Sequence, residues 1–275
     1  MKHLIIGYGY CGYHLANHLR QQDQTVITVS RHLDDSLRLP SVTHLVQNAL
    51  SPLPDDDENY TLYYLIPPPS DGLEDTILRQ FLSMNTLKPA KVVYFGSSAV
   101  YGDQQGRWVD EQSPCQPGND RQQRRLDAET QWKNYCEQRA INCILLRVAG
   151  IYGPKRLPEQ AARNQTALIR EDEAPFSNHI YVHDLVKIAA RLSTAGVFNV
   201  ADGQPNRMGT LQQQVALACQ LPLAPSQRFT QVWQEASPMK REFMQSSKRL
   251  SIAALQQALP DFQFTSLIEG IKDSL

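Results

Sequence analysis

The stretch HLIIGYGYCGYHLANHL, residues 3–19, joins two patterns. HLII (3–6) is a short continuous apolar run of the kind that fills a buried strand. After it, Cys11, Leu15 and Leu19 recur at i, i+4 and i+8, one apolar stripe of a helix. TVITV (25–29) is a second buried-strand run, so the first thirty residues predict a βαβ unit. The junction carries Gly7-x-Gly9-x-x-Gly12. Three glycines at that spacing permit a tight turn, a backbone that a pyrophosphate can approach, and close packing of helix on strand. The helix N-terminus, opened here by Tyr10 and Cys11, favours the anionic phosphates. The turn is read as a dinucleotide-binding site; glycines in an ordinary tight turn are the plainer alternative.

The end of the second strand selects the dinucleotide. An acidic side chain there would accept from the adenosine ribose and repel a 2′-phosphate. TVITVSRH instead places Ser30 and Arg31 at that point, a hydroxyl and a guanidinium that suit a phosphate, which favours NADP over NAD. The plainer reading of Arg31 is a solvated surface arginine. Asp34 and Asp35 come several residues late and read as loop or helix-start residues.

Further strand candidates are HLV (44–46), LYYLI (62–66), KVVYF (91–95) and NCILLRV (142–148), separated by helix-like segments. Leu73, Ile77, Phe81 and Leu82 give one stripe, and Trp132, Cys136 and Arg139 lie on a helix from about 120 to 139. After 150 the pattern loosens into short elements such as HIYV and VFNVA, with helix-like stretches at 183–193, 209–220 and 247–258. The expectation is a dinucleotide-binding domain over 1–150 and a smaller lobe over 151–275, with segments around 178–202 returning to the first. DDDE (55–58) reads as a solvated loop.

Composition narrows the function classes. The chain has 275 residues, 41% of them hydrophobic, enough for a sizeable core. Twenty-seven basic against 28 acidic residues leave a formal charge of −1, with no basic stripe for nucleic acid. MKHLII is too short an apolar run for a signal-peptide core or a membrane span, so a cytoplasmic protein is expected. The five cysteines form no C-x-x-C pair and read as reduced thiols. His14 and His18 share a helix face but lack an acidic or cysteine ligand nearby, so no metal is expected.

KVVYFGSSAVYGD (91–103) sets small hydroxyl residues at the carboxyl end of a buried strand, where an open parallel sheet binds its ligands. With VDEQSPCQP (109–117), LLRVAGIYGP (145–154), NHIYVHDL (178–185), FNVADGQP (198–205) and SSKRL (246–250), the chain resembles the extended short-chain dehydrogenase/reductase superfamily, the NAD(P)-dependent epimerase/dehydratase group. The resemblance implies an α/β fold, a Rossmann-type doubly wound parallel sheet with a smaller C-terminal substrate lobe. It implies that Ser97, three residues before Val100, orients substrate; Tyr101 of the same turn is a second catalytic candidate as a substitute proton source, a packing role being its plainer reading. IPPPS (66–70) falls where the family passes the cofactor, which adds Ile66 and Pro67 to its contacts. A homodimer through the helices at 72–86 and 120–139 is also a family expectation.

The family carries Tyr-x-x-x-Lys on the helix after the serine turn, followed by an alanine-glutamate pair. In GNDRQQRRLDAETQW (118–132), LDAE (126–129) fixes the register and puts Arg121 at the tyrosine position and Arg125 at the lysine position. Arg125 can keep a contact to the cofactor ribose. Arg121 cannot donate the proton, because a guanidinium stays protonated throughout the accessible pH range. Tyr152, His179, Tyr181 and His183 are alternative proton sources, and packing roles are the plainer reading of each. Cys115 lacks an identified base. Two functions stay open: an NADP-binding oxidoreductase or epimerase of a small polar, sugar-like or nucleotide-linked substrate with an altered proton relay, and a non-catalytic NADP-binding sensor or scaffold.

Overall fold

The computed structural model describes residues 1–51, 53, 59–85 and 87–275. The DDDE stretch lies outside the described residues. The chain divides into two compact units, Met1–Val100 with Pro117–Val148 and Leu185–Phe198, and Tyr101–Gln116 with Ala149–Asp184 and Asn199–Leu275.

The first unit is built on a seven-stranded sheet. Its strands are β1 (Lys2–Ile6), β2 (Thr25–Ser30), β3 (Val42–Val46), β4 (Tyr60–Tyr64), β5 (Lys91–Phe95), β6 (Asn142–Val148) and β7 (Gly196–Val200), whose last two residues count with the second unit. The order is β7-β6-β5-β4-β1-β2-β3, and the pairs from β3 through β6 are parallel. The chain starts in the middle, runs outward to β3, then returns beside β1 and builds the other half. The strand order therefore reverses at β1, the switch point where such sheets take their ligands.

Alternation along the strands divides the core between the two faces. Leu4, Ile6, Leu62, Tyr64, Val92, Tyr94 and Leu145 share a buried cluster with Leu78 and Phe81 of α2 (Thr76–Met84) and with Ala128, Trp132 and Cys136 of α3 (Asp120–Glu137). Ile5 points the other way, toward α1 (Tyr10–Gln21): a Cβ added at Gly12 would lie 3.7 Å from Ile5 Cγ2. Helices thus cover both faces, as a doubly wound sheet requires. Leu15 and Leu19 of the predicted stripe are buried at 0% and 2% exposure, each stabilising the unit by about 1.5–3 kcal/mol.

Three elements differ from expectation. β4 runs from Tyr60 to Tyr64, so Ile66 and Pro67 lie in the loop beyond it. α2 begins only at Thr76, because the Asp75 carboxylate accepts the Leu78 N–H at 2.9 Å and caps the helix there. Leu73 consequently falls outside the helix and is exposed, and Leu78 takes its place on the buried stripe. In the stretch 247–258, Arg249–Leu250 pair as a strand with Trp108–Val109, and the helix covers only Ala253–Ala258.

The second unit is assembled from short pairs: Gly150–Tyr152 with His179–Tyr181, Leu168–Ile169 with Ser226–Gln227, and Phe176–Ser177 with Asn206–Arg207. The division is not a single cut near 150. Residues 101–116 belong to the second unit, held by the Trp108–Val109 pairing and by Gln104 N donating to Ser247 O at 3.0 Å. The segment counted with the sheet unit is 185–198, carried by the later part of α4 (Val182–Arg191) and the start of β7. Among the described residues no helix is long and apolar enough to cross a membrane.

Candidate functional site

At the end of β1 the three glycines meet three different environments. Gly7 has φ +103°, and a Cβ there would lie 3.1 Å from the backbone of Leu65 and Ile66, so the turn rests on the loop after β4. A Cβ at Gly12 would fall 2.5 Å from the Gly7 carbonyl oxygen, a backbone clash that only glycine avoids. A Cβ at Gly9 would meet nothing within 4 Å. Gly9 is also the N-cap of α1, offers no capping side chain, and is followed by a first turn without acidic residues. The turn thus presents the positive end of a helix behind an open approach, and its residues fit a pyrophosphate. Tyr10 packs edgewise on His14, with ring centroids 4.8 Å apart, which gives the histidine an aromatic neighbour on its helix face.

The structure brings Gly7 and Ile66 together and places Ser30 and Arg31 at the carboxyl end of β2, next to β1 in the sheet. The Ser30 hydroxyl donates to His32 O at 2.7 Å, and Arg31 is exposed. Ser97 follows β5, half-buried, and its Oγ accepts the Ala99 N–H at 3.2 Å, which fixes the hydroxyl in the turn. Tyr101 belongs to the second unit, is 0% exposed and donates its hydroxyl to Asn199 Oδ1 at 2.8 Å. A phenol so held has the packing role that is the plainer reading of a tyrosine in this turn.

The arginine helix resolves into three roles. α3 starts where the Asn119 side chain accepts the Gln122 N–H at 2.9 Å. Arg121, one residue into the helix, is exposed. Arg124 is 5% exposed and donates to Gly72 O at 2.5 Å and Ser70 O at 2.9 Å, pinning the loop that follows the prolines. Arg125 is half-buried and lies near the Tyr94 hydroxyl, short of a well-formed hydrogen bond. Burial holds the Tyr94 hydroxyl in its protonated form against the pull of Arg125. Burial likewise raises the Asp75 carboxyl above its ordinary range, and its Oδ2 has no hydrogen-bond partner.

The LDAE register residues are structural. Ala128 is 0% exposed, and Glu129 forms a buried ion pair with Arg147 of β6, the Nη2–Oε2 distance being 2.9 Å and Nε lying 3.2 Å from both carboxylate oxygens. Two motifs of the sequence, LDAE and LLRVAGIYGP, are therefore one contact. A Cβ at Gly96 would lie 3.5 Å from Glu129 Oε1 and 2.9 Å from Leu146 O, so the pair sits directly under the turn that carries Ser97.

Sequence reasoning missed Arg124 and Asp75. A signal for Arg124 existed: counted back in fours from Cys136, the buried stripe is Trp132, Ala128, Arg124. In the second unit, His179 is drawn down to about 4 by burial, with Nδ1 lacking a partner, and Tyr152 is fully buried against Gly270. Tyr181 donates its hydroxyl to Asp273 and lies 3.0 Å from His183 Nδ1, a cluster that fastens the helix Leu267–Lys272. None of the five cysteines forms a disulfide.

Residues 76–201 match the model of the NAD dependent epimerase/dehydratase family. No curated protein matches the chain. Among solved structures, a functionally unknown conserved protein from Silicibacter pomeroyi DSS is 26% identical with a TM-score of 0.82, covering 98% of this chain and 96% of that one. The UDP-glucuronic acid 4-epimerase from Bacillus cereus in complex with NAD is 16% identical with a TM-score of 0.78, and the Thermus thermophilus UDP-glucose 4-epimerase in complex with NAD is 18% identical with a TM-score of 0.76. Each covers 100% of this chain and 97% of its own.

Proposed function

We propose, from the match of residues 76–201 to the NAD dependent epimerase/dehydratase family, that this chain is a nicotinamide-dinucleotide-binding oxidoreductase or epimerase with a proton relay of its own. The observation that carries the reading is the glycine turn, where Gly12 packs on the Gly7 carbonyl while Gly9 faces open space at the start of α1. In this reading Gly7, Gly9 and Gly12, with the backbone of Tyr10 and Cys11, bind the pyrophosphate. Ile66 and Pro67 border the turn, and Arg125 holds a ribose hydroxyl. Ser30 and Arg31 favour NADP, although the two epimerase structures named above are NAD complexes.

A bound dinucleotide would supply the hydride chemistry. The chain's own part is to orient and to manage the proton. Ser97, held by Ala99 N, positions a substrate oxygen. Arg121 supplies positive charge where the family has its acid, so the proton must pass through another group. The substrate proposed is a small polar molecule, sugar-like or nucleotide-linked, which the sugar-nucleotide epimerases among the structural relatives support by analogy.

A second reading, a non-catalytic NADP-binding sensor or scaffold, draws on the arginines at both the tyrosine and the lysine positions. Titration with NADPH and NADH, followed by thermal shift, tests the shared premise. Saturable stabilisation is expected, and no shift with either form would sink both readings. Loss of nicotinamide absorbance with a panel of carbonyl compounds and UDP-sugars separates them, since the sensor binds without turnover.

A further inference from the structure

α3 ends at Glu137, and the chain turns back into β6 at Asn142. Within that turn Arg139 N and Ile141 N both donate to Cys136 O, at 3.2 and 2.9 Å, and Ala140 takes a left-handed φ of 53°. So tight a reversal lays the start of β6 against the last turns of α3. Alternation puts Cys143 on the same face of β6 as Leu145, the face packed against Trp132, and Cys143 Sγ lies 3.9 Å from Trp132 O. Cys136 sits in the same cluster at 1% exposure, one helical turn beyond Trp132, and its side chain neighbours that of Cys143.

We propose that Cys136 and Cys143 are a dithiol pair that low-molecular-weight disulfides oxidise to an intramolecular disulfide, a modification site at the end of the arginine helix. The two cysteines differ in kind. Cys143 is half-buried, and the hydrogen bond from Cys136, assisted by Lys133, favours its thiolate. Cys136 is held as a thiol by that same hydrogen bond and by burial. Cys143 is therefore the attacking sulfur and Cys136 the resolving one.

With oxidised glutathione the Cys143 thiolate attacks one sulfur, the glutathione S–S bond breaks, and a glutathione thiolate leaves. The Cys136 thiol gives its proton to that thiolate, and its sulfur attacks Cys143, expelling the second glutathione. One disulfide is reduced and one is formed.

The test uses the whole protein, incubated with excess oxidised glutathione and, in parallel, reduced glutathione. Intact mass and peptide mapping should show a species lighter by two hydrogens, linked Cys136 to Cys143, with free thiols falling from five to three and recovering under a reducing dithiol. Cys136→Ser should trap glutathione on Cys143, whereas Cys143→Ser should give neither the bridge nor an adduct at Cys136. A bridge mapped to another pair, a wild-type protein that stops at glutathione adducts, or five thiols left unchanged would each overturn the proposal.

Discussion

Gly7, Gly9 and Gly12 each answer to a different neighbour, whereas Arg121, Arg124 and Arg125 share one residue type and end in three different environments. In the turn the backbone accounts for the glycines: Gly7 has a positive φ, Gly9 faces open space, and Gly12 cannot carry a Cβ. In α3 Ala128 and Glu129 are buried, while the positions that the resemblance aligns with the family's tyrosine and lysine hold arginines. The scaffold of a site and its reacting groups are thus separable in one domain. Steric and pairing requirements fix the first. The second depends on which side chain reaches the substrate.

The buried ion pair tests the scaffold half most severely. Removing Glu129 strands the Arg147 guanidinium at 5% side-chain exposure, and breaking such a pair costs about 3–5 kcal/mol. Glu129→Ala should lower stability by that amount in urea unfolding. Glu129→Leu combined with Arg147→Met should recover most of it, because the desolvation of both charges disappears together. If the single substitution costs under about 1 kcal/mol, Glu129 is not the post under the Ser97 turn that the geometry makes it.

Restoring the chemistry tests the other half. Arg121→Tyr with Arg125→Lys rebuilds the family pair on a helix whose packing residues are already in place. Turnover of NAD(P)H with a responsive substrate should rise by about 100-fold, the lower end of what a positioned acid supplies. No gain, with binding intact, would mean that the native proton path lies elsewhere in the molecule and that the arginines serve a different task.

Within the glycine turn, two substitutions that look alike should behave differently. Gly12→Ala forces a Cβ to 2.5 Å from the Gly7 carbonyl, and overpacking of this kind costs about 1–3 kcal/mol, visible as a lower thermal midpoint together with lost dinucleotide binding. Gly9→Ala meets no protein atom within 4 Å, so the apoprotein should lose under about 1 kcal/mol while dinucleotide affinity falls at least about tenfold. Equal affinity in Gly9→Ala would show that nothing approaches the backbone there.

The contrast also accounts for what was legible in the sequence. Buried strands read clearly because a parallel sheet needs continuous apolar runs, and β1, β2, β5 and β6 begin and end within a residue or two of the runs that predict them. Ser97 and the glycines follow from strand ends, whereas Ile66 reads as the last residue of a strand and lies in the loop beyond it. The Leu73 error came from counting a stripe through a capping aspartate, and the two-residue strand at Arg249–Leu250 is too short to show any period. Arg124 is legible only when the stripe Cys136, Trp132, Ala128 is carried one step further back, since composition alone does not say which of three arginines faces inward. The hydrogen bond from Tyr101 to Asn199 joins residues 98 apart in the chain, which no local pattern reveals.

Arg31 is the smallest and most selective test, because it asks whether the turn's completeness extends to the choice of dinucleotide. Its side chain is exposed at the end of β2, so replacing it should leave stability within about 0.5 kcal/mol. Arg31→Glu places an anion where a 2′-phosphate would lie and an acceptor where a ribose diol would lie. NADPH affinity should fall by about tenfold or more, roughly 1.4 kcal/mol, while NADH affinity holds or improves. Competitive titration of the two forms against one protein reads the ratio directly. The loss on the NADPH side should also shrink at high salt, since an exposed guanidinium–phosphate contact is screened. Parallel losses for both dinucleotides would remove Arg31 from the site and leave the choice of dinucleotide to other groups.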